Sequence, residues 1–175
     1  MATRTMLHDL IGQEVAAGIA PGRVLIGGFS QGAAMACFAA LTFDQPLAGC
    51  FMLSGYLTLK GKVPGMVTAG AKQTPFWQAH GSQDPVVPFL FGQVSSHAIQ
   101  QLGVAVEFKQ YTIAHTADPS ELADLKAFML RVLHPPSGAL RAAAQRPRPG
   151  PCTGYRASLA VRSNGRAAGC TRGAT

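Results

Sequence analysis

RVLIGGFSQGAAMACFAAL, residues 23–41, is the stretch from which the fold is read. Its first seven residues are an apolar run preceded by Pro21-Gly22, as a parallel strand covered on both faces would be. The following run, QGAAMACFAAL (31–41), is Ala-rich and holds no charge and no proline, which reads as a buried helix. At the junction stands Gly28-Phe29-Ser30-Gln31-Gly32, a G-x-S-x-G pattern in a strand-turn-helix setting. Such a turn is tight enough to force its serine into a strained backbone. Small neighbours at Gly28 and Gly32 let strand and helix approach, and Ser30 is thrust into the cleft. The backbone N–H of Gln31 then points at a forming oxyanion, with the positive N-terminal end of the helix behind it. Ser30 is the candidate nucleophile.

Upstream, Leu7, Leu10, Ile11 and Val15 recur at helical spacing over residues 7–17, until Gly18 and Pro21-Gly22 stop the helix. Downstream, LAGCFMLS (47–54) and PFWQAH (75–80) read as a second and a third buried strand. Residues 55–74 carry Gly and Pro and read as a loop with a short helical turn. Residues 89–102 form an amphipathic helix ended by Gly103, and VAVEFKQY (104–111) alternates like a strand near a sheet edge. A last helix spans residues 119–133. Asp118 is its N-cap, Pro119 sits in its first turn, and Leu122, Leu125, Phe128, Met129 and Val132 form its buried face. His134 closes it, where a cation suits the helix dipole. Strands alternating with helices predict an α/β fold, a parallel sheet of about four strands flanked by helices.

In such sheets the reactive residues collect beyond the C-terminal ends of the strands. Asp84, in the Pro/Gly-bounded stretch HGSQDPVVP (80–88), follows the third strand, and a carboxylate held there can fix an imidazole in one tautomer. His115 follows the fourth strand in a short polar loop, where it can take and return a proton. Ser30, Asp84 and His115 thus each fall just past a strand, in the chain order that a Ser-Asp-His triad takes on this kind of sheet. Other histidines fit less well. His8 precedes the nucleophile strand, His97 lies within a helix, and His80 comes too early and reads as a structural hydrogen-bonding residue. The remaining acids, Glu121 and Asp124 among them, read as surface or capping groups. Phe89, Leu90, Phe91, Leu57 and Leu59 lie in or beside loops on the reactive side. They could line an acyl channel, but for most of them core packing is the expectation.

Charge divides the chain. Residues 1–134 hold eight Lys or Arg and eight Asp or Glu, and the formal net charge of +7 lies wholly in residues 135–175. That Arg-, Ala-, Gly- and Pro-rich tail cannot bury enough apolar surface to order itself and is expected to be disordered. It has no Lys and only Tyr155 as an aromatic, which argues against specific nucleic-acid binding and leaves a peripheral contact with anionic membrane open. No apolar run reaches the ~18–20 residues of a membrane span, no signal-peptide layout opens the chain, and a cytoplasmic protein is the expectation. Cys37 and Cys50 sit in apolar runs, while Cys152 and Cys170 lie in the tail. Nothing in the Cys and His spacing suggests a metal site.

These residues resemble the acyl-protein thioesterase/lysophospholipase group of α/β-hydrolases, the phospholipase/carboxylesterase family. The matching stretches are Gly18-Ile19 through Arg23, GGFSQGAA (27–34), LAGCFMLSGYL (47–57), HGSQDPVVP (80–88) and the His115 loop with its following helix. The resemblance implies Ser30, Asp84 and His115 as triad and Gln31 as one oxyanion donor. It implies cleavage of S-acylated proteins, lysophospholipids or small esters through an acyl-enzyme, without metal or organic cofactor. Ala33 and Ala114 stand where the family often has Gly. Family members also carry roughly ninety residues before the point matching Leu7, which supply the first strands and a second oxyanion N–H. The expectation is therefore a partial α/β-hydrolase fold over residues 1–134, from a truncated or partial gene product or a degenerate copy. Loss of one oxyanion donor would cost on the order of 10²–10³ in rate. A catalytically impaired fragment is accordingly the alternative to an active serine hydrolase. The sequence gives no indication of oligomeric state.

Overall fold

Three short apolar runs and one alternating run pair side by side, the apolar ones because they can bury their faces only between helices. The computed structural model describes residues 2–59 and 61–133. The expected helix end at His134 and the tail of residues 135–175 lie outside the described residues. The strands are β1 (Leu25–Phe29), β2 (Gly49–Leu53), β3 (Phe76–Gly81) and β4 (Val106–Tyr111), all parallel, in the spatial order β1-β2-β3-β4. Five α-helices accompany them: α1 (Ala2–Ala16), α2 (Gln31–Leu41), α3 (Ala69–Gln73), α4 (Phe89–Gln101) and α5 (Pro119–Leu133). The loop expected at 55–74 carries a 3₁₀ turn, Val63–Met66, as well as α3, whose N-cap Thr68 accepts the N–H of Ala71.

Side-chain alternation along the strands divides the core. On one face Cys50, Met52 and Phe76 pack with Ile11 of α1, Ala33, Cys37 and Leu41 of α2, and Ile99 of α4. On the other, Leu53, Trp77 and Ala79 pack with Leu125 and Phe128 of α5. Register aligns Phe29 with Leu53 and Gly81 with Tyr111, so the C-terminal ends of all four strands form a single rim.

Several burial expectations are corrected. Strand β1 is half-buried along most of its length, since among the described strands it has a neighbour on one side only. Leu10 of α1 and Leu122 of α5 are exposed, and the inner stripe of α5 is Glu121, Leu125 and Phe128. Leu125 and Phe128 lie on the inner face as expected, and the change is confined to the start of the helix, where Glu121 rather than Leu122 shares that face. The expected cap is in place, with Asp118 Oδ1 accepting the backbone N–H of Glu121 at 2.8 Å.

Phe128 anchors the α5 face. It is 1% exposed, stacks on Trp77 with ring centroids 6.3 Å apart, and reaches the space beside Gly49. Phe128→Ala is expected to lower unfolding stability by about 3–5 kcal/mol, read as a fall in the urea midpoint with unchanged slope.

Candidate active site

Ser30 joins β1 to α2 with φ 54° and ψ −121°, one of three non-glycine residues among those described with positive φ. Its N–H continues the β1–β2 ladder by donating to the Leu53 carbonyl at 2.8 Å, and its carbonyl accepts the N–H of Ala34 at 3.1 Å. The residue therefore ends a strand and caps a helix at once, and the left-handed backbone is the strained result. Gly28 allows the close approach. A Cβ there would stand 2.6 Å from the Gly32 carbonyl carbon and 2.9 Å from the Ala33 nitrogen. Gly32, expected to serve the same purpose, does not: a Cβ on it would meet nothing within 4 Å among the described residues. The first N–H groups of α2, that of Gln31 included, have no intrahelical carbonyl to bind and are directed outward.

Asp84 follows β3 by three residues, and its side chain is fully buried. Oδ1 accepts two backbone N–H groups, from Val86 at 2.9 Å and Val87 at 2.8 Å. Oδ2 receives Nδ1–H of His115 at 2.7 Å. Burial works to raise this carboxyl, but the hydrogen bonds from His115, Val87 and Val86 outweigh it and hold the group below the usual carboxylate range. His115 occupies a tight turn in which Thr116 N–H donates to the Ala114 carbonyl at 2.9 Å. The two loops are bound together by Ser82 N–H to Tyr111 O at 2.8 Å and Gln83 N–H to Ile113 O at 3.1 Å. On its other side the His115 ring packs against Phe29, the residue before Ser30, with centroids 4.7 Å apart. The loops after β1, β3 and β4 thus bring Ser30, Asp84 and His115 to one rim.

The rival histidines stand elsewhere. His8 ties α1 to the end of α2 through Ala39 O at 3.0 Å, and His97 is exposed on α4 beside Gln101. His80 is buried and bonded to Val87 O, in keeping with a structural part. Among the apolar residues near the rim, Leu57 is buried and Phe89 half-buried, whereas Leu59, Leu90 and Phe91 are exposed, contrary to the expectation of core packing. Val86, Val87, Pro88, Phe91 and Tyr56 line a cavity of about 190 Å³ beside the Asp84 loop. Among the described residues, no group of three His, Cys, Asp or Glu is placed to hold a metal ion, and no helix is long and apolar enough to cross a membrane.

The model of the phospholipase/carboxylesterase family matches residues 1–133. The chain belongs to that family. Acyl-protein thioesterase 1 of Aspergillus fumigatus is 39% identical over 139 residues, which cover 77% of this chain and 58% of that protein. Acyl-protein thioesterase 1 of Gibberella zeae is 41% identical over 131 residues, 73% of this chain and 56% of that protein. Among solved structures, Arabidopsis thaliana SOBER1 superposes with a TM-score of 0.73 at 32% identity, covering 75% of this chain and 63% of the other. Zea mays acyl-protein thioesterase 2 gives a TM-score of 0.64 at 25% identity, covering 73% and 63%. The chain therefore spans somewhat under two thirds of the length of the family members it matches.

Glu121, expected at the surface, is fully buried at the start of α5, and neither carboxyl oxygen has a hydrogen-bond partner. The spacing Asp118-x-x-Glu121 is that of a capping box, of which only the Asp118 half is bonded, through the Glu121 N–H. Burial pushes the carboxyl up to about 7; the Asp118 backbone N–H opposes this, without reaching hydrogen-bond geometry, and the Asp118 carboxylate adds to it. Between about 4.5 and 7 the folded chain thus holds a proton that the unfolded chain has released. The stability tied to this group is full below that window and declines as pH rises through it. Glu121→Gln is expected to match the wild type near pH 4.5 and to exceed it at pH 8 by on the order of 1–3 kcal/mol, measured by urea unfolding at both pH values.

Proposed function

We propose that this chain carries the nucleophile, acid and base of a serine hydrolase that cleaves acyl thioesters or carboxylic esters. The observation that supports this most is the buried Asp84 carboxylate bonded at 2.7 Å to His115, whose ring packs beside the strained Ser30 turn. Asp84 can accept only from Nδ1–H, so Nε2 of His115 is left as the free base. In this reading Nε2 removes the Ser30 proton as Oγ attacks the acyl carbonyl, and the Gln31 N–H donates to the oxyanion. The protonated imidazole passes its proton to the departing thiol or alcohol, leaving an acyl-enzyme. Water, deprotonated by the same nitrogen, then releases the acid. No metal or organic cofactor enters these steps.

S-acylated proteins are the substrates favoured by the names of the relatives, acyl-protein thioesterases, with lysophospholipids and small esters of the same bond class beside them. The exposed Leu59, Leu90 and Phe91 suit an acyl chain lying across the rim. A second reading, a chain with the triad assembled but turnover impaired, is favoured by the half-buried, one-sided pairing of β1 next to the oxyanion donor.

Incubation with a fluorophosphonate probe and with p-nitrophenyl esters tests the proposal. Wild type is expected to be labelled, Ser30→Ala not, and Asp84→Asn to label about 10³–10⁴-fold more slowly. Labelling without ester turnover would select the second reading, and wild-type labelling no higher than Ser30→Ala would reject the first.

A further inference from the structure

The fully buried imidazole of His80 takes no part in the chemistry above, yet its contacts converge on the acid. Its Nε2 lies 2.8 Å from the Val87 carbonyl, which can only accept, so Nε2 carries the proton of that bond. The N–H of the same Val87 donates to Oδ1 of Asp84 at 2.8 Å. His80 Nε2 also stands 3.6 Å from Asp84 Oδ2, the oxygen that receives His115 at 2.7 Å. That separation exceeds a hydrogen bond, so the imidazole stands beside the carboxylate while its N–H is committed to the Val87 carbonyl.

From these contacts we infer that His80 is a positioning residue for Asp84, binding the acid loop to the rigid strand β3 so that Oδ2 stays aimed at His115. This rests on the reading of Ser30, Asp84 and His115 as a triad. The chain of contacts runs from β3 to the imidazole, to the Val87 peptide, to Oδ1, and so fixes which oxygen is left for His115.

A core-filling role alone does not account for the ring. Its Nδ1 is buried with no partner, an arrangement that an aliphatic side chain of similar size would avoid. The surroundings instead hold the ring in place. Phe89 meets it edge-on at 6.0 Å, and a Cβ on Gly92 of α4 would lie 2.5 Å from Nδ1. Gln78, two residues earlier on the same strand face, draws α4 down by donating to the Gly92 carbonyl at 3.1 Å. Gly92 is thus the floor on which the imidazole sits.

The test compares His80→Leu, His80→Gln and Gly92→Ala with wild type and Ser30→Ala, in the full chain. Two quantities are read: the fluorophosphonate labelling rate, and the downfield proton resonance of the His115 Nδ1–H bonded to Asp84. A thermal melt confirms folding. His80→Leu is expected to label roughly 10–100-fold more slowly and to broaden or lose the resonance. His80→Gln, which keeps an N–H for Val87, recovers most of both. Gly92→Ala, which alters no polar group but displaces the ring, behaves like His80→Leu and carries the test if that variant does not fold. A folded His80→Leu with wild-type labelling and an unchanged resonance overturns the inference, as does a His80→Gln as impaired as His80→Leu. If wild type itself is unlabelled, the triad reading fails, and the resonance across the variants still decides whether His80 orients the Asp84–His115 pair.

Discussion

Parallel pairing is the constraint on which everything else rests. In a parallel sheet every strand ends on the same rim, so residues 30, 84 and 115 can be neighbours although long stretches of chain divide them. The β1–β2 and β3–β4 registers bring those ends level, and the helices between the strands return the chain to the opposite rim each time. An antiparallel pairing of the same runs would send Asp84 and His115 to opposite ends. The two loops are further locked by backbone bonds from Ser82 to Tyr111 and from Gln83 to Ile113, so Asp84 and His115 are held by main chain as well as by their own 2.7 Å contact.

The polar groups buried near this rim oppose folding unless something satisfies them. Asp84 is satisfied fully, with three donors on its two oxygens. His80 is satisfied on one nitrogen and Glu121 on neither oxygen. Ser30 adds backbone strain of its own. Unfavourable terms gathered at one end of a sheet are consistent with the chemistry proposed for that rim. The two hydrophobic clusters, on either face of the strands, supply the opposing stability.

Much of this was legible in the residues. The apolar runs bounded by Gly and Pro gave the strands to within two or three residues, and α2 and α5 fall on their expected spans, because burial on both faces and firm caps leave little choice. Side-chain exposure was read less well. Glu121 takes the inward place expected of Leu122 because positions 121, 125 and 128 share one helical face, and a charged side chain at 121 hides that face from a reading by hydrophobic periodicity. Leu90 and Phe91 were expected inside, but they belong to the first turn of α4, where the helix leaves the rim. Gly32 illustrates a different limit: its motif position suggested close packing, whereas only Gly28 is pressed against the turn. The hold of His80 on the acid loop depends on a fold of the chain through Val87 that no local pattern announces.

Joint action of the Ser30 hydroxyl, the His115 imidazole and the Asp84 carboxylate, as proposed, is open to direct test in an experimental structure of the chain after reaction with a phosphonate inhibitor. Phosphorus is then expected bonded to Ser30 Oγ, its anionic oxygen against the Gln31 N–H, and His115 between the adduct and Asp84. An adduct on another residue, or a His115 ring turned away from Asp84 toward solvent, would contradict it.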